Sequence, residues 1–177
     1  MLALARGLSR TASKLLHLLF KLCWLMPVHV SDDERIVRAI YSPYHVKNNR
    51  LKHQAFDPTP GTDEVSVMRF EYMGVRLCRR KAKSFGNPKK TYRGFAVLRT
   101  SIVRTSAMDV VDSRRHFCGH ADIKFLMPEP EPNEPPPPEA GKRLKDLKDA
   151  LLGASNYVPD PNPADGAWRG KKLVPPL

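Results

Sequence analysis

The chain has 177 residues, 41% of them hydrophobic and 27% charged, with a formal net charge of +12. That apolar content excludes a wholly disordered chain, and the length suits one domain with extensions rather than two separate cores. Three cysteines, Cys23, Cys78 and Cys118, exclude a disulfide framework and point to a reducing, cytoplasmic compartment.

Residues 1–31 read as a leader. They carry four basic side chains (Arg6, Arg10, Lys14 and Lys21) and no acid. With His17 these recur every three or four residues, which places them on one helical stripe. Leucines and aromatics fill the rest. A basic amphipathic helix over residues 6–25 suits peripheral attachment to a membrane surface or a targeting receptor. It is a poor span, because Lys21 interrupts the apolar run short of the ~20 residues a bilayer requires. Met26 offers an alternative start, in which case residues 1–25 are an over-extended reading of the gene.

Twelve of the 17 prolines lie at or after Pro128, so the compact domain is placed at 32–127. Ser31-Asp32-Asp33-Glu34 has the spacing of a capping box, and Ile36, Val37, Ile40 and Tyr41 then predict a helix over 32–41 that Pro43 ends. Residues 42–63 read as a long connection with turns at Asn48-Asn49 and Pro58-Thr59-Pro60-Gly61, tied down by Leu51 and Phe56. A strand is predicted over 64–72 and a short basic helix over 75–85. Further strands are predicted at 92–98, 110–111 and 121–127, with a helical turn at Ile102-Val103. One or two short helices with several short strands predict a small α+β fold around a mostly antiparallel sheet.

Residues 128–141 read as a stiff, acidic Pro-rich linker. Residues 142–177 read as a short helix, with Leu144, Leu147 and Leu151 on one side, and an irregular tail carrying Trp168, Leu173 and Val174. A protein partner for residues 128–152 is one expectation.

Charge is distributed unevenly. Residues 72–108 hold ten Lys or Arg and no acid. Arg76, Arg79, Arg80, Lys81, Lys83, Lys89, Lys90 and Arg93 form the candidate polyanion-binding set, and Arg99 and Arg104 complete the block. Tyr72, Phe85, Tyr92 and Phe95 are interleaved with it. Cations release counterions from phosphates and aromatics stack on unpaired bases, so this block predicts sequence-independent binding to nucleic acid or another polyanion.

The alternative is a small hydrolase or transferase, of the toxin or defence-effector kind. In His116-Phe117-Cys118-Gly119-His120-Ala121-Asp122, an extended backbone would turn His116, Cys118, His120 and Asp122 to one face. His120 and Asp122 are the candidate catalytic pair, the imidazole as general base. Arg93 or Arg99 would then stabilise charge developing on a phosphate. A transferase cleft built on Arg69, Glu71 and Tyr92 is a further candidate. Metal-site spacings such as C-x₂₋₄-C are missing, so neither a metal nor a cofactor is expected.

Overall fold

The structure is a computed structural model that describes residues 23, 25–127 and 138–176. The amphipathic leader and the Pro-rich linker therefore fall largely outside the described residues. Strand β1 spans Arg35–Ser42, β2 Val46–Lys47, β3 Arg50–Leu51 and β4 Glu64–Arg69. After helix α1 (Phe70–Ser84) come β5 (Thr91–Arg99), helix α2 (Thr100–Thr105), β6 (Met108–Asp112) and β7 (His120–Phe125). Helix α3 (Pro138–Gly153) and strand β8 (Asn156–Pro159) complete the order. Six strands form one antiparallel sheet in the order β6-β7-β4-β1-β5-β8, while β2 and β3 make a separate hairpin. The α+β class is as expected.

The helix predicted over 32–41 is instead strand β1, at the centre of the sheet. Glu34 does accept the Ser31 amide at 3.0 Å, as a capping box requires. That turn feeds a strand because the β-branched run Ile36-Val37 and Ile40 must be covered on both sides. Ile36 and Ile40 face one core cluster, Val37 and Tyr41 the other. A central strand buried on two faces loses the alternation that would have revealed it.

The predicted 64–72 strand ends early, at Arg69. Phe70 begins α1, and Gly74, at φ 61°, ψ 168°, kinks the helix after its first turn. Phe70 and Tyr72 are β-formers, but each packs under a guanidinium instead. Arg35 lies 4.6 Å from the Phe70 ring centre and Arg69 4.6 Å from that of Tyr72. The Asn48-Asn49 turn is present, with both residues at positive φ between β2 and β3.

One face of the sheet is covered by Phe56, Val103 of α2, and Leu147 and Leu151 of α3. The opposite face is covered over β1 and β5 by Cys78 and Ala82 of α1 and by Leu173. Over β4 and β7 that second face is left open as a groove. The packed unit thus extends beyond the expected 32–127 at both ends. Met26 and Val30 are buried upstream, and β8 pairs with β5 downstream. The leucine face of α3 is inside the core rather than free for a partner. The tail docks through buried Leu173 and half-buried Trp168, whereas Val174 stays exposed. Among the described residues, no helix is long and apolar enough to cross a membrane.

Candidate functional site

The open half of the sheet is built by register. In the β4–β7 ladder Met68 faces His120, Ser66 faces Asp122 and Glu64 faces Lys124. Ala121, Ile123 and Phe125 turn to the apolar core, so the alternation of β7 places His120 and Asp122 together on the groove side. Two contiguous hollows of about 580 and 540 Å³ lie there, sharing Thr59, Ser66, Phe85, Phe117 and His120. Of those shared residues, His120 is the one with a titratable side chain.

His120 is buried, and its environment is specific. The turn before it is closed by three backbone bonds: Ser113 N–H to the His120 carbonyl (3.1 Å), His116 N–H to the Ser113 carbonyl (3.0 Å) and His120 N–H to the Phe117 carbonyl (3.0 Å). This turn brings the Ser113 hydroxyl within 2.5 Å of His120 Nδ1, and Asp122 Oδ2 lies 3.7 Å from the same nitrogen. A nucleophile–base–orienter relay would engage the two ring nitrogens separately. Here both oxygens address Nδ1, so Ser113 positions the ring and does not serve as a nucleophile. Burial pushes the imidazole pKa down, opposed by Asp122 and reinforced by nearby His116 and Arg38. The ring is therefore neutral at pH 7 and able to accept a proton.

His116 is exposed and stacks edge-on against His120 at 5.0 Å. One donor atom each from His116, His120 and Asp122 lies within 4.8 Å of the others. A tetrahedral site with ~2.1 Å bonds spaces its ligands by roughly 3.4 Å. The trio could supply donors after rearrangement, but as it stands it is a loose polar cluster rather than a preformed chelate. Cys118, at an exposed turn, is not in this cluster.

The groove also holds a cation that the sequence did not single out, Arg38. Arg38 leaves the core side of β1 and reaches toward β4, donating from Nε to the Ala55 carbonyl (3.2 Å) and from Nη1 to the Ser66 carbonyl (2.7 Å). Among the described residues, no carboxylate approaches it within 4.0 Å. Burial lowers its pKa from an ordinary value high enough that it stays charged. His45 lines the same hollow. Burial, aided by Arg38, brings its pKa down to about 4, and its Nδ1 accepts the Tyr41 amide at 3.3 Å. Lys90 stands 5.2 Å from the Tyr41 ring centre, and Lys81 and Arg115 line the second hollow. Arg38 and His45 were missed because a single Arg in an apolar run and a His in a loop carry no local signal of convergence.

The basic block is divided by the fold. Arg76, Arg80, Lys89 and Arg93 are exposed, and Lys81, Lys83 and Lys90 are half-buried. Arg79 must be removed from the polyanion set. It is buried, with Nε 2.5 Å from Asp160 and Nη2 2.6 Å from the Asn162 carbonyl. Lys83 donates to the Asp165 carbonyl at 2.8 Å. Arg104 is paired with Asp32 and with Asp109, and Arg99 lies 3.8 Å from Asp33. Arg99 is at the far end of β5 from Arg93, roughly 20 Å away at ~3.3 Å per residue. Neither Arg93 nor Arg99 lines the groove with His120.

Arg69, Glu71 and Tyr92 do not form a transferase cleft. Arg69 is fully buried between Glu34 (2.7 Å) and Asp112 (2.9 Å), and Glu71 is held by Arg35 (2.7 Å). Tyr92 is in the core, where burial raises its pKa and its hydroxyl has no hydrogen-bond partner among the described residues. Comparison with known proteins finds no matching family, no similar curated sequence and no similar solved structure.

Proposed function

We propose that this protein is a small hydrolase or transferase acting on a phosphate-bearing substrate in the groove over β4 and β7, with His120 as general base. The observation that carries the proposal is the juxtaposition in one groove of a buried imidazole with its Nδ1 side held and a guanidinium that no carboxylate among the described residues approaches within 4.0 Å. Asp122, 3.7 Å from Nδ1, favours the tautomer with the proton there and leaves Nε2 as the acceptor. Nε2 takes the proton from an attacking water or hydroxyl as the new oxygen–phosphorus bond forms and the bond to the leaving oxygen breaks. Arg38 and Lys90 supply the positive charge that offsets the developing negative charge on the phosphate oxygens. Free Cys23, Cys78 and Cys118 support a reducing, cytoplasmic setting.

The test is turnover of a panel of phosphomonoesters, phosphodiesters and single-stranded RNA by the full chain. His120→Asn should lower kcat by at least roughly 10²-fold while leaving the unfolding midpoint close to that of the parent. Asp122→Asn should lower kcat with a smaller change in KM. The rate should fall with acid along a limb below the ordinary imidazole value of about 6.5. Full activity in His120→Asn, or no turnover of any phosphate ester, refutes the proposal.

A second reading rests on Arg76, Arg80, Lys89 and Arg93, all exposed on α1, the following turn and the start of β5. These cations would hold a longer polyanion by salt-sensitive, sequence-independent contacts. Titration with single-stranded DNA at low and high salt tests it, and lack of affinity at low salt would overturn it.

A further inference from the structure

The walls of the groove carry side chains that proton transfer by His120 does not use. Phe85 is 46% exposed although it borders a cavity. It pairs with Phe117 in a tilted arrangement, ring centres 6.0 Å apart, and the Lys81 ammonium stands 4.9 Å from the Phe85 centre and 4.4 Å from that of Phe117. Tyr44, 51% exposed, also lines the larger hollow. The same hollow contains the two cations already described, Arg38 and Lys90, neither ion-paired with a carboxylate among the described residues.

Each half of this arrangement lacks something. Exposed aromatic faces gain from a flat, polarisable partner, and the Lys81 charge beside them favours a ring carrying electron-rich edges. Unmatched cations gain from an anion, and Arg38, whose Nε and Nη1 already donate to the Ala55 and Ser66 carbonyls, offers a phosphate oxygen its Nη2 in a charge-assisted bond. A molecule joining a flat heteroaromatic ring to a phosphate by a short linker satisfies both at once. A hollow of about 580 Å³ is in the range of cavities that enclose small organic ligands. We infer that the groove binds a nucleotide, its phosphate on Arg38 and Lys90 and its base against Phe85 and Phe117. This rests on His120 as the reacting centre and names the substrate class it would act on. A free nucleotide and a unit of a single strand present the same chemistry.

The experiment is equilibrium binding to the full chain of 5′-AMP, adenosine, ribose 5-phosphate and a single-stranded pentanucleotide. AMP should bind more tightly than ribose 5-phosphate by the worth of one stacked base, roughly 5- to 150-fold. Phe85→Ala, at an exposed position that should not affect folding, should erase most of that difference. Lys90→Ala should weaken AMP but not adenosine. A pentanucleotide tighter than AMP assigns a strand as the source of the nucleotide, and equal affinity assigns the free nucleotide; either supports the inference. Equal affinity for AMP and ribose 5-phosphate, an unchanged ratio in Phe85→Ala, or no saturable AMP binding overturns it. His120→Asn separates the two claims. AMP binding that survives in this variant, with no phosphate ester turned over by the parent, supports the nucleotide site and removes the catalytic reading. His120-dependent turnover of phosphate esters that lack a base, with no AMP preference, does the reverse.

Discussion

Replacing Arg69 by Met tests how the turn leading into His120 is held. The guanidinium is fully buried and makes five hydrogen bonds: two to Glu34 (2.7 and 2.9 Å), one to Asp112 (2.9 Å) and two to the carbonyls of Pro27 (2.6 Å) and His29 (3.3 Å). Its backbone amide also bonds the Gly119 carbonyl at 2.8 Å, next to His120. Asp112 keeps a second partner in Arg114 (2.6 Å). Glu34 keeps only the Ser31 amide among its side-chain bonds, so Glu34 is the charge left stranded. Removing one member of a buried ion pair costs about 3–5 kcal/mol, a large part of the 5–15 kcal/mol typical of a domain. Arg69→Met should therefore lower Tm by roughly 10 °C, at ~2–4 °C per kcal/mol for a chain of this size. Adding Glu34→Gln to Arg69→Met should return about 1–2 kcal/mol, because it removes the uncompensated charge. Urea unfolding of the two single variants and the double variant, followed by circular dichroism, measures all three. A loss below about 1 kcal/mol for Arg69→Met, or a double variant equal to the sum of the singles, would refute the argument.

Gly94 lies at φ 147° within β5, and a Cβ there would stand 2.4 Å from the Val158 carbonyl oxygen and 2.8 Å from the Pro159 Cα. Because both obstacles are backbone, Gly94→Ala should detach β8, costing more than about 2 kcal/mol and raising hydrogen exchange in Asn156–Pro159. Exchange unchanged from the parent would show that β8 is not held by that close approach. His45 gives a pH dependence of defined sign. Its folded pKa of about 4 is below the unfolded value near 6.5, so the unfolded chain takes up the proton first. The stabilisation is fully present above pH 6.5 and is lost as pH falls toward 4, by roughly 3 kcal/mol. Unfolding midpoints measured across that interval should decline in the parent and decline less in His45→Gln; parallel curves would remove His45 as the cause.

Local chemistry was enough for several elements. Asn48-Asn49 tolerates the left-handed backbone that a tight hairpin needs. The β-branched and aromatic runs at Thr91–Arg99 and His120–Phe125 became strands. The spacing of Leu144, Leu147 and Leu151 specified a helix, and the period of two in β7 put His120 and Asp122 on one face. These depend on neighbours a few residues apart, which a sequence displays. Tertiary structure decided what depends on distant neighbours. Arg35–Ser42 became a strand because both its faces meet core, a demand that overrides its helical caps. Arg79 left the basic patch because Asp160, 81 residues away, meets it in the interior. Arg38 entered the site because β1 passes near β4, where Ser66 and Ala55 offer it carbonyls. A charge acquires its role from whatever the fold brings within a few ångströms of it, and only the packed chain sets those distances.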